Sequence, residues 1–109
     1  MCALTAILHT TREEADSISR RAAVLRRLAE LEAKASRLRE ELRAYEERYG
    51  LDSRELVEFW DEALERGEAL DLGIPDLDLV EWRSLWELYQ EILEEVEKLR
   101  AELGRAASQ

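Results

Sequence analysis

The sequence has 109 residues, enough for one domain, and a domain of this size buries only about two thirds of the surface that its unfolded chain exposes, which argues against a deep substrate cavity. Charged residues make up 39% and glycine and proline together only five positions, a composition typical of long helices and coiled coils. The formal net charge of -10 comes from the second half of the chain. Residues 49–109 carry seventeen acidic and six basic side chains, whereas residues 1–48 carry nine acidic and ten basic side chains. This field disfavours nucleic acid and anionic lipid and favours a basic protein as partner, although acidity that only keeps the protein soluble would give the same composition.

The amino-terminal segment, residues 1–16, shows no sustained hydrophobic period, and we expect it to be a flexible arm. Its apolar stretch Met1–His9 lacks a basic region and a long apolar core, so it predicts neither a signal peptide nor a membrane span. The single cysteine, Cys2, cannot form an internal disulfide. We therefore expect a cytoplasmic protein that does not bind a membrane.

A first long helix is predicted from about Ser17 to Gly50. Its apolar residues are spaced alternately four and three apart, which is the heptad seam of a coiled coil. These residues are Val24, Leu28, Leu31, Ala35, Leu38, Leu42, Tyr45 and Tyr49. Gly50 is suited to the position that ends a helix, because glycine adopts a left-handed conformation without strain.

A short helix is predicted next, followed by a turn. Asp52 to Glu55 forms a capping-box pattern, in which Asp52 accepts from the first amides of the helix and Glu55 reaches back. The helix should extend to about Arg66. The linker from Glu68 to Pro75 contains Gly73 and the only proline, so we expect the chain to turn there.

A second capping box, Asp78 to Glu81, opens a predicted helix that ends at about Leu103, before Gly104. Its apolar residues again repeat in heptads. These residues are Trp82, Leu85, Tyr89, Ile92, Val96, Leu99 and Leu103.

The predicted fold is all-α, a long antiparallel helical hairpin with the short helix at its closed end. It forms a single domain over residues 17–104, between the flexible arm at 1–16 and a flexible tail at 105–109. Heptads specify a seam but not the chain that fills it, so pairing between two chains stays open. A two-helix hairpin buries little surface, and we expect dimerisation or a partner to complete it.

Catalysis is not expected, because the only histidine, His9, and the only cysteine, Cys2, lie in the arm and cannot form a nucleophile–base pair on a rigid element. Four carboxylates cluster in the last helix, but they lie off the apolar seam and the helices contain no histidine. They are Glu87, Glu91, Glu94 and Glu95. They predict a solvated acidic surface, and neither a metal nor another cofactor is expected.

A basic segment begins the first long helix, and it could meet either phosphates or acidic side chains. Its arginines are Arg20, Arg21, Arg26 and Arg27. Acidic residues flank it and the whole chain is anionic, so pairing with acidic side chains is the favoured interpretation and contact with nucleic acid the alternative.

All seven aromatic residues fall between Tyr45 and Tyr89, which is the closed end of the predicted hairpin. For most of them, packing of the short helix onto the hairpin is the favoured interpretation, and four are also candidate anchors for a partner. The candidates are Trp60, Trp82, Trp86 and Tyr89. Trp86 is singled out because it lies beside the seam.

Three blocks of the sequence match a pattern shared with another group of proteins. The first, Tyr45–Leu56, reads Tyr-Glu-Glu-Arg-Tyr-Gly-Leu-Asp-Ser-Arg-Glu-Leu, the second is Phe59 with Trp60, and the third is Asp78–Tyr89. Together they resemble small helical antitoxin-like proteins of prokaryotic toxin–antitoxin pairs. In that pattern a Glu-rich helix, a Tyr-Gly turn, an aromatic helix, an acidic loop and a Glu-Trp segment follow one another. The resemblance covers roughly residues 20–100.

The resemblance implies an antitoxin that binds and inhibits a basic toxin, often a ribonuclease or another nucleic-acid-directed enzyme. It also implies an aromatic anchor at Trp82, Trp86 and Tyr89 and an acidic surface, formed by the four clustered glutamates, that occupies the substrate groove of the toxin. Two other functions remain open: a homodimeric coiled-coil adaptor, and an autoregulatory DNA-binding antitoxin that uses the basic segment.

Overall fold

The computed structural model describes residues 11–107, which form three α-helices and, within that range, no strand. Helix α1 spans Arg12–Tyr49, α2 spans Ser53–Glu65 and α3 spans Asp76–Ala107. Helices α1 and α3 pack against each other in opposite directions, and α2 packs at the end where the chain reverses. The predicted all-α hairpin with a short helix at its closed end is therefore confirmed.

The two heptad seams face each other within one chain, because every predicted seam residue of both long helices is buried or half-buried. In the middle of the hairpin, Leu31, Ala35 and Leu38 of α1 form a core cluster with Ile92 and Val96 of α3. The seam of each helix is thus filled by the other helix, and its pairing does not require a second copy.

A second core cluster lies at the closed end, where α2 covers the hairpin. Leu42, Leu56, Leu79 and Trp82 are its buried members, one or more from each helix. The indole of Trp82 stacks on Tyr45, with ring centroids 5.5 Å apart. Leu56 and Trp82 are fully buried, so α2 is held mainly by apolar burial.

A buried chain of hydrogen bonds crosses this cluster and fixes the start of α2. The indole nitrogen of Trp82 donates to Ser53 Oγ at 2.8 Å, and the Ser53 hydroxyl and backbone N–H both donate to Glu46, each at 2.9 Å. Ser53 is fully buried, where an unpaired polar group would be costly. Asp52 caps α2 as predicted, but the carboxylate that supports this helix start is Glu46 of α1 rather than the exposed Glu55.

Helix α1 begins earlier than predicted. The side chain of Thr11 accepts from the backbone N–H of Glu14 at 3.1 Å and caps the helix, so Arg12 is its first residue instead of Ser17. The prediction of a flexible arm is wrong for residues 12–16, and residues 1–10 of that arm lie outside the described residues. At its other end α1 stops at Gly50 as predicted, with φ 65°.

Helix α3 is longer than predicted at both ends. It begins at Asp76, directly after Pro75, because the Pro75 carbonyl already accepts from Leu79 at 3.1 Å and acidic residues in the first turn suit the helix dipole. It continues through Gly104 to Ala107, since the alanines and arginine around this glycine favour helix. The predicted tail is therefore helical over 105–107. None of the helices in the described range has an apolar stretch long enough to cross a bilayer.

Candidate interaction surface

A groove of roughly 430 Å³ lies between the second half of α2, the linker and the first turns of α3. We call it the head groove. Its apolar lining consists of Trp60, Ala63, Leu64, Ala69, Leu70, Leu79 and Val80. The carboxylates of Glu68 and Asp76 also line it. The groove therefore combines an apolar interior with acidic side chains.

Three large apolar side chains beside this groove face solvent. Leu64 is 64% exposed, Val80 58% and Leu77 84%. Leu77 and Val80 are three residues apart in α3 and so lie on the same face, next to the groove. A single exposed leucine is ordinary, but three at the mouth of an apolar groove form a contiguous patch of the kind that marks an interaction site.

Negative charge is concentrated around the head groove. Residues 57–81, which we call the acidic head, contain nine carboxylates and a single basic residue, Arg66. All of these carboxylate residues except Asp78 are exposed. Asp78 is half-buried, accepts from the Tyr49 hydroxyl and lies 3.8 Å from Arg48. Of the exposed acidic residues, Glu68 and Asp76 line the apolar groove, and the other six lie on the elements that form it, α2, the linker and α3.

Arg83 of α3 fixes the α2 wall of the groove. Its guanidinium lies over the ring of Trp60, 5.0 Å from the centroid, and forms ion pairs with Asp61 at 3.0 Å and Glu87 at 2.9 Å. The pKa of Arg83 is raised, mainly by its hydrogen bond to Glu87. Burial lowers this pKa, and the hydrogen bond to Asp61 raises it again. Because these contacts join both helices, Trp60 is held half-buried at the side of the groove.

A second groove, the side groove, lies between α1 and α3 below the start of α2 and holds roughly 880 Å³. Trp86 and Tyr89 form one side, with ring centroids 6.1 Å apart. Its arginines are Arg39, Arg43 and Arg54, and its acids are Glu46, Glu47 and Asp52. Arg39 donates to the Tyr89 hydroxyl at 3.3 Å, which raises the pKa of Arg39. Positive and negative side chains are mixed here, so this groove has no charge preference comparable to that of the acidic head.

The structure separates the four predicted aromatic anchors. Trp60 lines the head groove, whereas Trp86 and Tyr89 line the side groove. Trp82 is fully buried, so the prediction that it anchors a partner is wrong for this fold. The reason is tertiary: the buried Ser53 and Leu56 of α2 close over a seam position that sequence spacing alone leaves open.

The predicted acidic cluster of α3 is divided in the same way. Glu87 pairs with Arg83 at 2.9 Å, and Glu95 pairs with Arg27 of α1 at 3.4 Å. Glu91 is exposed, as is Glu94. Two of the four glutamates therefore already have cationic partners within the chain. Across residues 11–107, no group of three or more His, Cys, Asp or Glu side chains is placed to hold a metal ion.

The basic segment lies near the open end of the hairpin. Arg20, Arg21 and Arg26 are exposed, while Arg27 lies 3.6 Å from Glu30 and 3.4 Å from Glu95. Pairing with acidic side chains, the favoured interpretation of this segment, is therefore seen for Arg27.

The sequence contained one signal for the head groove that periodicity does not detect. Residues 68–80, the linker and the start of α3, alternate acids with Leu70, Leu72, Leu77 and Leu79, although a short linker and one turn of helix do not need so many leucines.

Comparisons with models of protein families, with curated proteins and with solved structures found no match to this chain.

Proposed function

We propose that this chain is a protein-interaction module that binds a basic protein through its acidic head, in the manner of an antitoxin-like inhibitor. The observation that carries the proposal is the coincidence of the apolar head groove with nine carboxylates and a single arginine over residues 57–81. Burial of the apolar lining would supply affinity, less the entropy lost when the two proteins associate. The exposed carboxylates would speed the encounter with a cationic surface.

Inhibition follows from the same charge. A nucleic-acid-directed toxin holds its substrate in a cationic groove, and a dense acidic surface competes with phosphates for that groove. No catalytic step is assigned to the chain, which acts by occupying the site of its partner.

The test is light scattering coupled to size exclusion, on the protein alone and mixed with the product of the neighbouring gene. A stable complex at low ionic strength, weakened by added salt, is the expected result. The double variant Glu65→Lys/Glu68→Lys should weaken it further. The matched control Glu91→Lys/Glu94→Lys makes the same charge change on exposed residues outside the acidic head and should have a smaller effect. No association at low ionic strength would refute the proposal.

A homodimeric adaptor built on the heptad seams is less favoured, because both seams are already packed against each other inside the chain. Autoregulatory DNA binding would have to use Arg20, Arg21 and Arg26, which are exposed. An electrophoretic shift with the DNA upstream of the coding sequence, lost as salt is raised, would favour that function.

A further inference from the structure

We propose that two copies of this chain associate reciprocally, with the start of α1 of each copy seated in the head groove of the other. The proposal concerns self-association, which the proposed binding of a basic protein does not require. It rests on two surfaces of one molecule, an apolar groove and an apolar stripe on a helix, whose neighbouring charged side chains have opposite sign.

The first surface is the head groove, whose geometry suits a helix. One wall is the α2 face with Trp60 and Leu64, four residues apart, and the other is the α3 face with Asp76 and Val80, also four apart, with the buried Leu79 beside them. An apolar groove between two helices is a recurrent binding site for a third helix.

The second surface is an apolar stripe on α1. Ile18 is 66% exposed and Leu25 48%. With the exposed Ala22 between them they follow the spacing of four and three that places side chains on one helix face. This stripe is separate from the seam that faces α3, which begins at Val24.

Charge complementarity selects this occupant. Arg21 and Arg26 are exposed on the same turns of α1 as the stripe. The groove that would receive them is lined by Glu68 and Asp76 and lies within the acidic head. Apolar contact at the centre with opposite charges at the rim is the usual arrangement of a specific interface.

Reciprocity follows from the size of the contact. One helical segment in one groove is small against the roughly 1,200 Å² at which stable protein interfaces begin. A two-fold arrangement doubles the contact, because each copy contributes one stripe and one groove, and it also closes the assembly. If the proposed function holds, the basic partner and the second copy compete for the same groove.

The experiment is sedimentation equilibrium of the full chain at low ionic strength, from low micromolar to submillimolar concentration. The expected result is a shift from monomer to dimer mass that salt reverses. Val80→Ser in the groove and Leu25→Ser in the stripe should each weaken dimerisation at least tenfold. The control Leu93→Ser changes a leucine of the side groove, 36% exposed, and should leave the dimer unchanged.

Charge-reversed variants make the test specific. Arg21→Glu/Arg26→Glu and Glu68→Arg/Asp76→Arg should each be monomeric. An equimolar mixture should form a heterodimer, because one of its contacts joins the two reversed surfaces and the other joins the two native surfaces. Circular dichroism verifies that both variants are folded. If Glu68→Arg/Asp76→Arg does not fold, the single variant Glu68→Arg replaces it in the mixture. A monomer at all concentrations, or a dimer that none of these changes affects, would overturn the proposal. Neither result bears on binding of a basic protein, which is measured with that protein present.

Discussion

Replacing Ser53 with alanine removes the central member of the buried hydrogen-bond chain that joins Trp82 to Glu46. The substitution deletes the acceptor of the Trp82 N–H, bonded at 2.8 Å, and one of the two donors to Glu46, at 2.9 Å. A hydrogen bond to a charged group contributes about 1.5–3 kcal/mol, and an unsatisfied buried donor costs about 1–3 kcal/mol. The Ser53 backbone N–H still donates to Glu46, so part of the network survives. We expect a loss of about 2–4 kcal/mol in the free energy of unfolding.

The assay is urea unfolding followed by far-ultraviolet circular dichroism. Ser84→Ala is the matched control, because Ser84 is an exposed residue of α3 and its loss should change stability by less than about 0.5 kcal/mol. Trp82→Phe completes a double-mutant cycle. Because this variant lacks the indole N–H, Ser53→Ala should reduce the free energy of unfolding less in it than in the wild type. If Ser53→Ala were as mild as Ser84→Ala, the buried network would not be what holds the start of α2.

Two further predictions concern Tyr45 and two glycines. Burial, followed by a hydrogen bond with Glu81, raises the pKa of Tyr45 from 10.0 to about 12. A raised pKa means that the folded state holds the phenolic proton more tightly, so this stabilisation is complete below pH 10.0 and is lost as the pH rises through about 12. The free energy of unfolding should therefore fall over this range more steeply in the wild type than in Tyr45→Phe, and parallel curves would contradict the assignment. Gly50→Ala should destabilise by about 1–2 kcal/mol, because φ is 65° there. Gly104→Ala, inside α3, should stabilise by up to about 1 kcal/mol. In thermal unfolding the Tm should fall for Gly50→Ala and rise for Gly104→Ala. A Tm that does not fall for Gly50→Ala would contradict strain at this helix end, and a fall for Gly104→Ala would contradict the expected gain in helix propensity.

The candidate site was only partly predictable. Trp60 could be proposed from its position among the aromatics, and it does line the head groove. Trp82 carried the same signal and is buried, because whether a seam residue faces a partner or a core depends on what covers it. Leu64, Leu77 and Val80 were not singled out, since exposed apolar residues off the seam have no periodic signature.

The sequence by itself determined the number and type of the helices, the residues of both seams and the end of α1 at Gly50. These features depend on interactions within a few residues, namely the heptad spacing and the tolerance of glycine for positive φ. Only the tertiary structure decided that the seams fill each other within one chain and that Glu46 of the preceding helix, rather than Glu55, supports the start of α2. The same is true of the head groove, which forms where faces of α2, the linker and α3 meet. Such features depend on burial by residues that are remote in sequence, and local spacing does not specify which of those residues will meet.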